Sequence, residues 1–375
     1  MLQCDFFYNE LLENGLDFFT GVPDSLLKNL CAYISDHSPA GSHIIAANEG
    51  NAVGMAIGHY LATGTPSVVY MQNSGQGNAV NPLLSLADPD VYGIPMLLLV
   101  GWRGEPGVND EPQHLKQGKV TQALFDAMGI PCFVLPLDEA DAVQAVRASI
   151  EKTKQLNQPV ALLVRKETFA PYTLQQMTGQ QFPMTREMAL GCVAGALSSD
   201  AVVVSTTGMA SRELYEYRES QGEGHSRDFL TVGGMGHASQ IALGIALEKK
   251  DRPVVCIDGD GAALMHLGGM GILANQHVAN YKHIVLNNGV HGSVGGQPTI
   301  GFDVDFCAVA NAVGYKQSIK VESQEELKSA LPKFLEADGP SLLEICVSTG
   351  FRSDLGRPQS TPAENKESLM AFING

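Results

Sequence analysis

Short runs of apolar residues alternate along the chain with helix-like stretches. Five of these runs are Ser67–Met71, Met96–Val100, Val202–Ser205, Val254–Ile257 and His283–Leu286. An apolar run without polar alternation is expected for a parallel strand that helices cover on both faces. The pattern therefore predicts an α/β fold with parallel sheets.

Part of this pattern occurs twice. The matched segments, each pair separated by 186 positions, are Met55–Gly58 with Ile241–Gly244, Val68-Val69 with Val254-Val255, Gly75 with Gly261, and Leu98–Val100 with Ile284–Leu286. One such match is easily produced by chance, whereas a constant offset across a helix, two strands and a turn indicates a repeat. We therefore expect two doubly wound domains, at residues 1–170 and 185–375, the second with a C-terminal extension. The prolines and polar residues of 171–184 indicate a linker.

Composition excludes several classes of protein. The chain has 375 residues, and its 40 acidic against 24 basic residues give a net charge of -16. Nucleic-acid binding is disfavoured, because contacts with phosphates need a surplus of Lys and Arg. Runs such as Met96–Val100 are too short to span a bilayer, and the N-terminus lacks the basic region of a signal peptide. Seven scattered cysteines without a CxxC pair favour the cytoplasm over a disulfide scaffold or a zinc site.

The two halves differ where equivalent strands end. The first half has Gly101-Trp102 at one such end, whereas the second has Asn287-Asn288 there and Gly259-Asp260-Gly261 at the preceding strand. Open α/β sheets bind ligands at the carboxyl ends of their strands. The Asp260 carboxylate, the Asn288 amide and the carbonyl of Val290 would give Mg²⁺ three oxygen ligands and leave room for a diphosphate. The helix that follows Asp260 would offer free N–H groups to a phosphate.

Each of these motifs alone is also typical of an ordinary turn. No GxxxxGK[ST] P-loop occurs, and Leu264 occupies the position of the third glycine of a dinucleotide-binding motif. The combination of GDG, twenty-five intervening residues and Asn287-Asn288 resembles the signature of thiamine-diphosphate enzymes. The resemblance implies two domains of the thiamine-diphosphate-binding fold, one for the pyrimidine and one for the diphosphate, without a central third domain. It also implies that Asp260, Asn288 and Val290 bind Mg²⁺, and that Thr207, Gly208, Gly261 and Ala262 contact the cofactor.

The same resemblance implies roles for three further residues. Glu49 would contact the aminopyrimidine ring and promote removal of the thiazolium proton, although a helix-terminal acid also stabilises the helix dipole. Met235 would hold the cofactor bent and the Gly233 carbonyl would accept from the pyrimidine amino group, although a Met also fills cores. Because pyrimidine and diphosphate domains of different subunits meet in this family, a homo-oligomer, dimer or higher, is implied.

As a two-domain chain of this size, the protein resembles the phosphonopyruvate and sulfopyruvate decarboxylases. The segments that carry the resemblance are Gly21–Ser25, Asn48–Asn51, Gln72–Gly75, Asp110–His114, Asn288–Thr299 and Arg357–Pro362. They imply decarboxylation of 3-phosphonopyruvate to phosphonoacetaldehyde and carbon dioxide via a thiamine-diphosphate ylid, in phosphonate biosynthesis. The alternatives are sulfopyruvate or another small 2-oxo acid as substrate and, more remotely, a non-catalytic cofactor-binding paralogue.

A doubly charged phosphonate needs hydrogen-bond donors and cations. Candidates at predicted strand ends or in the tail are Asn73, Ser74, Arg103, Gln113, His291, Ser293 and Arg352, with Lys119 and Gln297 as further options. Asp24 and His114 are candidates for proton transfer, since the pKa of a histidine lies near neutrality. For each of them, a solvated loop residue or a turn cap is the competing interpretation.

Overall fold

The computed structural model describes residues 1–175 and 182–375. Contacts between residues divide the chain into two compact units, Met1–Met177 with His291–Gln297, and Thr178–Val290 with Pro298–Gly375. Part of the predicted linker, residues 176–181, lies outside the described residues, and the predicted domain limits stay a prediction.

The first unit contains one parallel six-stranded sheet. Its strands are β1 (Phe19–Gly21), β2 (His43–Ile45), β3 (Ser67–Gln72), β4 (Met96–Gly101), β5 (Cys132–Val134) and β6 (Pro159–Val164). Their order across the sheet is β2-β1-β3-β4-β6-β5. Every residue of β4 and β6 is buried, as the apolar runs predict for strands covered on both faces.

Helices flank this sheet. They are α1 (Cys4–Glu13), α2 (Lys28–His37), α3 (Glu49–Thr63), α4 (Gln76–Pro82), α5 (Pro112–Ala127) and α6 (Glu139–Leu156). The N-cap residues Asn48 and Asp138 accept hydrogen bonds from main-chain amides at the starts of α3 and α6. Leu97, Leu99 and Leu162 on the central strands contribute to one continuous apolar core. The N-caps at Asn48 and Asp138 therefore fix where α3 and α6 begin beside the sheet.

The second unit repeats this topology. Its strands are β7 (Val202–Ser205), β8 (Asp228–Leu230), β9 (Val254–Gly259), β10 (Tyr281–Asn287), β11 (Gln317–Val321) and β12 (Ser341–Cys346). Read from its other edge, the sheet has the order β8-β7-β9-β10-β12-β11, which is the order of the first sheet with every strand number raised by six. The predicted fold class, two doubly wound parallel sheets, is confirmed.

The helices of the second unit surround its sheet in the same way. They are α7 (Arg186–Ala196), α8 (Met209–Ser220), α9 (Ala238–Glu248), α10 (Asp260–Met265), α11 (Gly268–Asn275), α12 (Phe306–Val313), α13 (Gln324–Glu336) and α14 (Pro362–Asn374). In the C-terminal extension, the sequence pattern did not reveal α14. Thr361 and Glu364 form a capping box at its start, and Asn365 hydrogen-bonds to main-chain atoms of Asp228 and Leu230.

Within the described parts of the chain, no helix is long and apolar enough to cross a membrane. The cysteines are unpaired, and four of the seven are buried. Cys4 and Cys31 belong to the apolar core of the first unit, as small buried apolar residues do.

A buried ion pair joins α8 to β8. The Arg218 guanidinium donates to both oxygens of Asp228 at 3.0 and 3.1 Å, and neither side chain is exposed to solvent. A third donor of the same guanidinium reaches Glu223 at 2.6 Å. The two elements are therefore held together by charges that water does not screen.

Removing this cation should strongly destabilise the second unit. We expect Arg218→Met to lower the free energy of unfolding by about 3–5 kcal/mol, because Asp228 would stay buried without a partner. The control, Lys316→Met, breaks the exposed pair with Asp338 and should cost less than about 1 kcal/mol. Urea unfolding followed by circular dichroism measures both values. Equal costs for the two variants would contradict the expectation.

Candidate active site

Asp260 stands where β9 ends and α10 begins. Its side chain is 2% exposed, and burial raises the pKa of this carboxyl to about 6. The Thr299 hydroxyl and the main-chain amide of Asn288 donate to it. These bonds offset only part of the cost of burying a charge. Asp260 is thus a buried carboxylate that a cation would stabilise.

The predicted partner residues lie at the end of the neighbouring strand. β9 and β10 pair in parallel with Leu286 opposite Gly259, so that Asp260 and Asn287 are the next residues at adjacent strand ends. The Asn287 amide donates to the Gly301 carbonyl at 2.7 Å and to Glu344 at 2.8 Å. This residue therefore holds the loop rather than offering a free ligand.

Asn288, the residue after β10, places its side-chain amide in the turn that leads to Val290. Its side-chain oxygen accepts from the main-chain N–H of Val290 at 3.2 Å, and its exposed fraction is 6%. Gly289 between them has φ +68°, a left-handed conformation that glycine adopts without strain. The turn brings the Asn288 amide oxygen and the main chain at Val290 together.

Gly301 closes the loop over the carboxylate. A Cβ at this position would lie 2.5 Å from Asp260 Oδ2 and 2.6 Å from Asn287 Oδ1. The Gly301 amide also donates to the Thr299 hydroxyl at 3.0 Å, which turns that hydroxyl towards Asp260. Only a residue without a side chain leaves this arrangement undisturbed.

The donor set fits a divalent cation of the magnesium type. Mg²⁺ prefers carboxylate, amide and carbonyl oxygens, which Asp260, Asn288 and the main chain at Val290 provide. α10 begins at Asp260 itself, so the free N–H groups of its first turn accompany these oxygens. An ion-bound diphosphate is the type of ligand that such a turn accommodates.

The other predicted cofactor contacts lie in two loops of the same unit. Gly208, with φ 97°, precedes α8 directly after Thr207 and the end of β7. Met235 is half-buried rather than part of the core, which weakens the interpretation that it merely fills space. The loop of Gly233 and Met235 continues to Gly236, where a Cβ would lie 3.1 Å from the carbonyl of Ala262 in α10.

A polar network beneath this turn was not found from the sequence. His283 Nε2 lies 3.2 Å from Asp258 Oδ2, and His283 Nδ1 lies 3.1 Å from the Tyr315 hydroxyl. Cys256 donates its S–H to the same Asp258 oxygen at 3.6 Å. All three potential metal ligands of this cluster are buried and already bond to one another. We interpret the network as support for the end of β9.

In the first unit, Glu49 is the first residue of α3. It is 5% exposed, and Asn78 donates an amide hydrogen to Glu49 Oε2 at 2.7 Å. A Cβ at Gly75 would lie 2.3 Å from Glu49 Oε1, so the turn after β3 needs glycine there to admit the carboxylate. An acid that only balanced a helix dipole would need no such enclosure.

Asp24, Arg103 and His114 belong to one cluster. Asp24 is fully buried, burial raises the pKa of its carboxyl, and Oδ1 has no hydrogen-bond partner among the described residues. Burial also lowers the pKa of His114, whereas the hydrogen bond that its imidazole donates to Asp110 raises that pKa. Arg103 donates to Ser25 Oγ at 2.7 Å and pairs with Asp110. Asp110, which the sequence did not single out, is therefore common to two predicted site residues.

The remaining predicted substrate residues are placed differently from one another. Asn73 is fully buried, and its amide is bound to the Arg103 carbonyl at 2.8 Å and to Thr121 at 2.9 Å. Ser74 accepts from Gln72 at 2.6 Å on the surface. Arg352 pairs with Glu187, Glu216 and Asp354 in the second unit. The others are Gln113 and Lys119 on α5, and His291, Ser293 and Gln297 in the segment that groups with the first unit.

Two regions of the chain match known protein families. Residues 206–345 match the family described as thiamine pyrophosphate enzyme, C-terminal TPP binding domain. Residues 4–130 match the family described as thiamine pyrophosphate enzyme, N-terminal TPP binding domain. The chain thus matches both the N-terminal and the C-terminal thiamine-pyrophosphate binding domains.

Curated relatives extend over nearly the whole chain. It is 38% identical over 96% of its length to a phosphonopyruvate decarboxylase of Streptomyces viridochromogenes, of which it covers 92%. A phosphonopyruvate decarboxylase of Streptomyces hygroscopicus is 36% identical over 96% of the chain, which covers 90% of that protein. A sulfopyruvate decarboxylase of Methanosarcina acetivorans is 28% identical over 94% of the chain, which covers 93% of it.

The close approach at Gly301 generates a test of the site. We expect Gly301→Ala to weaken the binding of thiamine diphosphate with Mg²⁺ by about 10- to 100-fold, because the new methyl group would displace Asp260 or Asn287. Gly224→Ala, in an open loop of the same unit, is the matched control and should bind normally. Titration calorimetry on cofactor-free protein measures both affinities. Normal binding by a folded Gly301→Ala variant would show that this loop does not shape the site.

Proposed function

The chain belongs to the thiamine pyrophosphate enzyme family, and on that premise we propose that it decarboxylates 3-phosphonopyruvate to phosphonoacetaldehyde and carbon dioxide, in phosphonate biosynthesis. The observation that carries this proposal is the end-to-end similarity, 38% identity over 96% of the chain, to a phosphonopyruvate decarboxylase. The buried polar groups at the strand ends of both units agree with a carboxy-lyase of this type.

We assign Asp260, Asn288 and the Val290 carbonyl to a Mg²⁺ ion that binds the cofactor diphosphate. Gly261 and Ala262 at the start of α10, and Thr207 and Gly208 before α8, would contact the diphosphate through the main chain. When bound, thiamine diphosphate supplies an electron sink for the pair of electrons that carbon dioxide leaves behind.

The first unit supplies the groups that handle protons and charge. Glu49 holds a carboxylate in an enclosed turn, where Asn78 fixes one oxygen and leaves the other for the cofactor pyrimidine. Asp24 is a buried carboxyl with a raised pKa and, among the residues that the structure describes, one oxygen without a partner, which suits a proton donor. Arg103 and His114 lie in the same cluster and suit an anionic substrate.

Sulfopyruvate is the second candidate substrate. The relative from Methanosarcina acetivorans supports it, but at 28% identity against 38% for the phosphonopyruvate decarboxylase. The two substrates differ in the charge of one tetrahedral group, so the number of cations and donors that face this group decides between them. A non-catalytic cofactor-binding protein would need neither the enclosed Glu49 nor the fully buried Asp24.

We further propose that the chain works as a homo-oligomer, a dimer or larger, in the cytoplasm. The unpaired state of all seven cysteines supports a reducing compartment. Exposed apolar side chains on helices of both units, such as Leu61 at 71% and Ile272 at 61%, support burial against further subunits.

Substrate preference tests the proposal directly. We expect kcat/KM for phosphonopyruvate to exceed that for sulfopyruvate by about tenfold or more, and that for pyruvate by about a hundredfold or more, because pyruvate leaves the cationic groups unpaired. Steady-state assays of purified protein, with and without thiamine diphosphate and Mg²⁺, measure these ratios. A preference for sulfopyruvate would replace the proposed substrate, and turnover without the cofactor would exclude the mechanism.

The role of Glu49 can be separated from that of an ordinary helix-terminal acid. We expect Glu49→Gln to bind the cofactor with nearly unchanged affinity but to lose kcat by about a hundredfold or more, because the amide cannot exchange a proton with the pyrimidine. Glu139→Gln is the matched control, since Glu139 is also the first residue of a helix. It should leave kcat unchanged. Full activity of Glu49→Gln in the same assay would remove Glu49 from the mechanism.

A further inference from the structure

We propose that Asp110 is a positioning residue that fixes both Arg103 and His114 for the reaction. This inference rests on the proposed function, because it assigns the two residues to the substrate. Asp110 lies in the loop between β4 and α5, two residues before α5 begins, and only 13% of its side chain is exposed.

One carboxylate accepts hydrogen bonds from four residues. Oδ2 accepts from Arg103 Nε at 2.8 Å and from the Gly104 amide at 2.7 Å. Oδ1 accepts from the Glu111 amide at 2.7 Å, from Arg103 Nη2, and lies 2.9 Å from His114 Nδ1. The bidentate fork with Arg103 and the contact with His114 mean that neither side chain can move without breaking a bond to Asp110.

The charge of Asp110 is secured by these donors. Burial raises the pKa of its carboxyl, but the hydrogen bonds from Arg103 and His114, with the charge of Arg103, outweigh burial and hold the pKa well below its usual value. An ionised carboxylate can only accept hydrogen bonds. His114 Nδ1 must therefore carry a proton, and Nε2 is the atom at which the imidazole gains or loses one.

The same contacts orient the guanidinium of Arg103. Of its five N–H donors, two go to Asp110 and one to Ser25 Oγ. The side chain of Asn73 hydrogen-bonds to both the main-chain N–H and the carbonyl of Arg103, and its amide also donates to Thr121. Two N–H groups remain without a partner among the described residues. Fixed in direction, they suit the oxygens of a tetrahedral anion such as a phosphonate.

Three ionisable groups face His114, and they shift its pKa in opposite directions. Burial lowers the pKa of the imidazole most strongly, Asp110 raises it through a hydrogen bond and its charge, Arg103 lowers it, and Asp24 raises it. Removing the charge of Asp110 deletes an interaction that raises the pKa and leaves Arg103 without its counter-ion. The pKa of His114 must then fall, and the limb of the pH–rate profile that reports His114 must move to lower pH.

The test combines nuclear magnetic resonance with kinetics on the holoenzyme. We expect ¹⁵N shifts of wild-type protein to show His114 protonated at Nδ1 above its pKa, with His114→Gln used to assign the resonance. In Asp110→Asn the pKa should fall by about 0.5–1 unit. On phosphonopyruvate, kcat/KM should fall by about 10- to 100-fold, with the His114 limb displaced in the same direction. Asp126→Asn, an exposed change on α5, is the matched control and should alter neither quantity.

Two results would overturn the inference. One is a wild-type His114 that carries its neutral-form proton on Nε2, a measurement that needs no variant to fold. The other is a folded Asp110→Asn variant with the wild-type imidazole pKa and pH–rate profile. Failure of the proposed function is recognised separately, because the resonance titration needs no turnover. Wild-type protein inactive on phosphonopyruvate but with the expected tautomer would refute the substrate and leave the Asp110 contacts standing.

Discussion

Burial of carboxylates at the ends of parallel strands is the constraint on which both units depend. A buried negative charge is costly unless donors or a cation compensate it. Asp260 in the second unit and Asp24 in the first are each enclosed almost completely, and burial raises the pKa of both. The surrounding loops supply part of that compensation through hydrogen bonds to the two carboxylates.

The two carboxylates reach that balance in different ways. Asp260 accepts hydrogen bonds from the Thr299 hydroxyl and from the main-chain amide of Asn288. The oxygens nearby make this site suitable for a cation. One oxygen of Asp24 accepts hydrogen bonds from the main-chain amides of Leu26 and Leu27, while its other oxygen has no partner in the described parts of the chain. The hydrogen bonds around Asp260 partly stabilise its ionised carboxylate, whereas the surroundings of Asp24 favour the protonated carboxyl. This difference is why we place ion binding in one unit and proton transfer in the other.

Hydrophobic patterns predicted much of the molecule, and what they missed depends on hydrogen bonds between polar side chains. The apolar runs gave the central strands, and the constant offset gave the repeated topology, because both depend on residues close in sequence. Helix α14 was missed since its apolar stripe is weak, although the capping box of Thr361 and Glu364 was a usable signal. No role was predicted for Asp110, although it lies in a segment that carries the resemblance, because the hydrogen bonds of Arg103 and His114 to its carboxylate do not follow from a hydrophobic pattern. The roles of the predicted site residues stay predictions.

The repeat also explains why equivalent positions carry different side chains. Gly101 ends β4 and Asn287 ends β10, at the same place in two sheets of one topology. A Cβ at Gly101 would lie 2.0 Å from Asp24 Oδ2, so the buried acid of the first unit excludes any larger residue there. In the second unit, Asn287 takes the place of this glycine, and its side chain donates to the Gly301 carbonyl and to Glu344. One backbone frame therefore accommodates a buried acid, Asp24, in one copy and a loop held by Asn287 in the other.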